Sequence, residues 1–158
     1  MSGKPTPPAI DPADVPVRTG TIYPEPFRAM VAGRQKQALG NEAGLRNFGV
    51  NLVRLSPGAA SSQRHWHTRQ DELVYVLEGE VTLVTDAGEQ ILRPGMAAGF
   101  PAGKADGHQL ANRSGADAVY LEVGDRSPGD EADYPDIDLL LRIIDGKPVF
   151  TRKSGEPY

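Results

Sequence analysis

The chain has 158 residues, a formal net charge of −4 and no cysteine. That length suits one ordinary domain, able to bury roughly 68–70% of its unfolded surface without cross-links, and the lack of thiols excludes disulfides, thiolate metal sites and a cysteine nucleophile. A mildly acidic chain with scattered Lys and Arg gives no reason to expect nucleic acid; no apolar run reaches bilayer-spanning length or follows a secretion-signal pattern, so a soluble cytoplasmic protein with no membrane contact is expected.

The 18 glycines and 14 prolines are the informative excess, because many turns between short strands need them. Residues 1–26 hold seven of the prolines. Proline fixes φ and lacks an N–H, so this stretch is expected to be an extended arm, partly disordered or laid against the main body. Across residues 27–47, Phe27, Met30, Val31 and Ala38 have weak helical spacing, which predicts a short helix or turn and a first strand region. The core is expected over 48–123. Phe48–Leu55 is strand-like and stops at Ser56-Pro57-Gly58. Leu73–Leu77 is an apolar β-prone run, Glu78-Gly79 reads as a hairpin turn, and Val81–Thr85 as its return strand. Asp86-Ala87-Gly88 predicts the next turn before Gln90–Leu92, and Pro94-Gly95 another. Gln109–Asn112 and Ala118–Val123 are two further strands. Near-regular strands with turn residues between them indicate an all-β sandwich or barrel. Residues 124–158 form a C-terminal extension rich in Asp, Pro and Gly, in which Ile137–Ile144 is a final strand or a flap over a barrel mouth.

The chemistry concentrates in the histidines, of which there are three. In His65-Trp66-His67 the two imidazoles sit at i and i+2, so a strand projects both from one face. Trp66 alternates away and is expected to pack on the outer face. Glu72 follows a turn and opens the Leu73–Leu77 run, where its carboxylate can return beside the imidazoles. His108 opens the Gln109–Asn112 strand, and Asn112 is read as a turn former. Imidazole and carboxylate suit one divalent transition metal such as Zn, Fe, Mn or Ni.

The spacing resembles the cupin superfamily. Its first motif is matched by Gly58, six residues, His65-x-His67, four residues, Glu72, six residues and Gly79. Its second is matched by Gly95, five residues, Pro101-x-Gly103, four residues, His108, three residues and Asn112. One residue is added before His65 and two before His108, and the second addition lengthens the loop Lys104-Ala105-Asp106-Gly107. With Ser127-Pro128-Gly129-Asp130 and Tyr134-Pro135-Asp136 in the tail, the whole chain is similar to bacterial single-domain cupins of a sugar-phosphate-isomerase-like group. The resemblance implies a double-stranded β-helix (jelly-roll) barrel and one metal on His65, His67, Glu72 and His108. It says less about the reaction, because this fold hosts many chemistries.

If Glu72 points inward, so do Val74 and Val76. Leu73, Tyr75 and Leu77 then form an outward apolar stripe, expected to be covered by the arm or by the second subunit of a homodimer. In Ala118–Val123 one face carries Tyr120 and Glu122, and sequence does not decide which face lines the barrel. If that face points in, Tyr120 and Glu122 become candidate proton-transfer residues. The leading functional expectation is a metal-dependent isomerase or epimerase acting on a small sugar- or keto-acid-like molecule. The alternatives are an iron-type dioxygenase and a non-catalytic small-ligand binder. Two or more ionisable groups in the lumen beyond the ligands favour catalysis, and an apolar lumen favours binding.

Overall fold

The protein is described by a computed structural model covering residues 5–158, so the first four residues of the predicted arm lie outside the described residues. Its strands are β1 (Arg34–Gln37), β2 (Phe48–Leu55), β3 (Trp66–His67), β4 (Glu72–Glu78), β5 (Val81–Thr85), β6 (Gly88–Leu92), β7 (Ala97–Phe100), β8 (Gln109–Ala111), β9 (Ala118–Asp125), β10 (Glu131–Tyr134), β11 (Leu139–Ile144) and β12 (Lys147–Thr151). Short 3-10 turns cover Pro12–Asp14 and Ala29–Val31, and one helical turn covers Leu39–Glu42. Among the described residues no helix is long and apolar enough to cross a membrane.

One antiparallel sheet has the order β1-β2-β9-β4-β7 and a second the order β6-β5-β8. They face each other as a jelly-roll barrel. Because side chains alternate along a strand, each sheet turns one set inward. Val53 and Leu55, Val74 and Val76, Val81 and Leu83, with Leu92, Leu110 and Tyr120, meet in one buried cluster. Burying each such aliphatic side chain contributes roughly 1.5–3 kcal/mol.

The expected hairpin at Glu78-Gly79 does not form. β4 pairs with β7 and β9, while β5 pairs with β6 and β8, so the chain crosses from one sheet to the other there. Gly79 has φ 68°, and a Cβ on it would sit 2.4 Å from the Asp117 carbonyl oxygen. The glycine is needed for a sheet-to-sheet corner pressed against the entry to β9, which in sequence looks the same as a hairpin turn. The Asp86–Gly88 turn does join an antiparallel pair, β5 with β6. Two strands carry no sequence pattern. β1 reads Arg-Gln-Lys-Gln and β7 Ala-Ala-Gly-Phe, and both are ordered by pairing with β2 and β4.

The arm and the tail are both seated. A second apolar cluster joins Tyr23 of the arm and Val31 to Ala132, Tyr134 and Leu139 of the tail. The tail holds three strands where one was expected, and its Tyr134, Leu141 and Phe150 line one side of the barrel's cavity. β10, β11 and β12 form a sheet with β3, pairing Ala132 with His67 and Asp133 with Trp66. Leu73, Tyr75 and Leu77 remain 44%, 41% and 40% exposed, so the arm does not cover the outward stripe of β4.

Candidate metal centre

Three features bring the site together: β3, an isolated bridge and the start of β4. β3 carries His67, and His65 stands two residues before it. His65 and His108 form an antiparallel bridge, with His65 N donating to His108 O at 3.1 Å and His108 N to His65 O at 2.8 Å. Glu72 opens β4. The longer loop ahead of His108 thus still delivers the residue to a bridge with His65. Arg64 holds that loop through Gly107 O and forks onto Asp136, and it also pairs with Asp86. The Phe100 ring lies parallel to His108 at 3.6 Å between centroids.

The nearest approaches are through Nε2 atoms to one oxygen. Glu72 Oε2 lies 2.8 Å from His108 Nε2, 3.4 Å from His67 Nε2 and 3.8 Å from His65 Nε2. Donor atoms of His65, His67 and Glu72 fall within 4.8 Å of one another, and the His108 ring is 4.7 Å from that of His65. Donors about 2.1 Å from a common ion stand about 3.0–3.4 Å apart at octahedral or tetrahedral angles, so this cluster is near the right size.

The protonation pattern argues the same way. His67 Nδ1 donates to Asp130 Oδ2 at 2.6 Å, and His65 Nδ1 donates to the Gln63 carbonyl at 3.0 Å. Both contacts place a ring proton on Nδ1 and turn Nε2 towards Glu72. Burial pushes the Glu72 carboxyl up, but the hydrogen bond from His108 and the fields of the three imidazoles outweigh it and hold it near 2. Burial pushes His65 down to about 4, against the pull of Glu72, which keeps the ring neutral at pH 7. Three ring nitrogens thus converge on one carboxylate oxygen, the donor set a shared cation takes. The residues fit a divalent transition metal, whose ligands must be neutral imidazole and ionised carboxylate.

Asp130 belongs to the Ser127-Pro128-Gly129-Asp130 motif, to which the sequence assigns no role at the site. It is buried in a Pro-Gly-Asp turn, 63 residues beyond its partner His67, and it also accepts from the backbone N–H groups of Arg69 and Gln70. Its signature, an acid in an acid-rich tail, does not separate it from its neighbours.

Beyond the cluster lies a cavity of about 270 Å³. Tyr120 and Glu122 both line it, which settles the face that sequence left open: Val74 of β4 stands opposite Glu122, and Val76 opposite Tyr120. Glu122 accepts from Lys36 Nζ at 2.7 Å and Asn51 Nδ2 at 3.1 Å, both at Oε1. Its Oε2 makes no hydrogen bond among the described residues. Tyr120 is fully buried, and burial raises its pKa well above the usual value. Tyr23 and Tyr134 close the same cavity from the arm and the tail. Trp66 lines a second cavity of about 230 Å³ with His67, His108 and with Lys104 and Asp106 of the long loop. Asn112 is buried and bonds Leu55 O, Ala116 O and Ser114, which makes it a turn former.

Comparison with known proteins agrees with this fold. Residues 51–124 match the cupin domain family. A structure named a sugar phosphate isomerase from a cupin superfamily, from Silicibacter pomeroyi, is 46% identical over 96% of both chains, with a TM-score of 0.92. The chain belongs to the cupin superfamily. A second cupin-like structure, from Acidithiobacillus ferrooxidans and named only provisionally as a sugar phosphate isomerase, is 31% identical over 79% of this chain and 80% of its own, with a TM-score of 0.72. A polyketide cyclase from Streptomyces resistomycificus, 24% identical over 77% of this chain and 82% of its own with a TM-score of 0.61, shares the cupin fold alone. The search of curated proteins gave no match.

Proposed function

We propose that His65, His67, Glu72 and His108 hold one divalent transition metal, and that this cupin is an isomerase moving a proton beside the carbonyl of a small sugar-like substrate. The observation that carries the reading is the lumen. Glu122 and Tyr120 line the same cavity as the cluster, and Glu122 has one oxygen fixed and one oxygen free. A simple binding barrel has no need of a carboxylate held in that way. The names of the Silicibacter and Acidithiobacillus relatives point to the same substrate class.

A metal at the cluster would polarise the carbonyl and stabilise the negative charge that develops on its oxygen. The chain's own groups move the proton. Glu122 Oε2 removes it from the carbon beside the carbonyl, while Lys36 and Asn51 keep the carboxylate in place. Returning it to the former carbonyl carbon, as the neighbouring hydroxyl proton passes to the former carbonyl oxygen, moves C=O by one carbon and needs no co-reactant. Tyr120 keeps its proton and serves as a hydrogen-bond donor rather than a base.

The test is proton–deuterium exchange. Metal-loaded protein in D₂O, given a panel of small aldoses, ketoses and their phosphates, is expected to exchange the carbon-bound proton of one class. Glu122→Gln should slow that exchange about 10²–10⁴-fold with metal content unchanged. No exchange across the panel, or an unaffected Glu122→Gln variant, rejects the isomerase. Oxygen uptake by the iron-loaded protein would instead favour a dioxygenase.

A further inference from the structure

We infer that Arg18, Arg34 and Lys36 form a subsite for the phosphate group of a phosphorylated substrate, at the mouth of the cavity that ends on the His–Glu cluster; the reacting end of that substrate is the one proposed above. Arg18 belongs to the arm and lies directly opposite Lys36 of β1. Arg18 N donates to Lys36 O at 2.8 Å and Lys36 N to Arg18 O at 2.9 Å. Directly opposed residues share a face, and Arg34, two residues before Lys36, shares it too. That face is turned towards the cavity, since Lys36 reaches Glu122 on β9.

An outer basin of about 390 Å³ is lined by Arg18, Thr19, Thr21, Arg34, Lys36 and Asn51 among others. It shares Thr21, Ile22, Arg34 and Lys36 with the inner cavity, so the basin opens onto the site. Three cations gather here in a chain whose net charge is −4.

Among the described residues, neither Arg18 nor Arg34 pairs with a carboxylate. The Arg34 guanidinium donates to the carbonyls of Ser61 and Gly20, which hold it in place without cancelling its charge. Arginine has five N–H donors in a fork that matches phosphate, so donors remain free. Glu122, the carboxylate beside them, neutralises one cation. Two positive charges are left, matching a phosphate monoester at about −1.5 to −2 better than a single carboxylate.

The test is calorimetric titration of full-length, metal-loaded protein with inorganic phosphate, and separately with acetate. Saturable phosphate binding is expected, with acetate at least tenfold weaker and phosphate affinity falling as salt is raised. Arg34→Gln should weaken phosphate at least tenfold and Arg18→Gln severalfold, with metal content unchanged in both. Among the described residues the Arg18 side chain makes no hydrogen bond, so Arg18→Gln decides the matter if Arg34→Gln fails to fold. Phosphate should still bind the His65→Ala, His67→Ala double variant. Wild-type phosphate affinity in Arg18→Gln overturns the subsite, as does phosphate binding lost only in the histidine variant, which would put the anion on the metal. Equal affinity for acetate overturns the assignment to phosphate. Metal retained by the histidine variant would sink the metal reading, while the phosphate titrations would still score the subsite.

Discussion

His67 donates its Nδ1 proton to Asp130 at 2.6 Å, and the bond fixes which nitrogen faces Glu72. A carboxylate behind a ligating imidazole holds the ring and raises its basicity. Asp130→Asn keeps one acceptor oxygen and loses the charge, so metal affinity should fall about 10–100-fold, read by competition with a chelator, with the far-UV spectrum unchanged. Unaltered affinity would show that the contact is only structural. The four proposed ligands are legible in the sequence because each is a donor type placed by short-range geometry: i and i+2 for the histidines, a strand start for Glu72, a strand start for His108. Asp130 is illegible because its position is set by the pairing of β10 with β3, across 63 residues. Lys36 and Asn51 are hidden in the same way, since nothing local says that they meet Glu122.

At the scale of the strand, local pattern reports alternation well and partnership poorly. Val74 and Val76 are buried while Leu73, Tyr75 and Leu77 are exposed, as the period of two requires. The hairpin read at Glu78-Gly79 fails because Gly79 serves a corner between sheets, and a left-handed glycine looks alike in both. A first strand region is expected within residues 27–47, but the bounds of β1 are not legible because its residues are polar on both faces, and its inner face is polar for a reason, since it carries Lys36 to Glu122. On the outside of β4, three large apolar side chains run in line, and Leu121 and Tyr75 are paired across to β9. We propose that a second copy of the chain covers this stripe in a two-fold homodimer, the commonest symmetric assembly. Light scattering on eluted protein should give the mass of two chains for the wild type and of one for Tyr75→Lys, Leu77→Lys. A wild type that stays a single chain at micromolar concentration would leave the stripe unexplained and the dimer rejected.

For the whole molecule, the site makes the metal-free protein sensitive to acid. His65 is held at about 4 by burial, against an ordinary 6.5, so between those values the unfolded chain binds the extra proton and stability falls as pH falls. Glu72 is held near 2 against an ordinary 4.5: burial would raise it, but the His108 hydrogen bond and the imidazole fields prevail. Its contribution is present above 4.5 and lost as pH falls towards 2. Calorimetry of chelator-treated protein should therefore show Tm dropping from pH 7 to 4, and His65→Gln should flatten the part between about 6.5 and 4. An unchanged profile in His65→Gln would mean that the ring is not held neutral by the fold. The arm and tail close the barrel around this cluster through Tyr23, Tyr134 and Leu139, so arm, core and tail should respond to metal together. The most direct measurement is elemental analysis of protein purified without added metal. The wild type should hold about one divalent transition-metal ion per chain, and His65→Ala, His67→Ala should hold almost none while keeping its β-rich spectrum. Full occupancy in the double variant, or a wild type that takes up no metal even when it is supplied, would contradict the account.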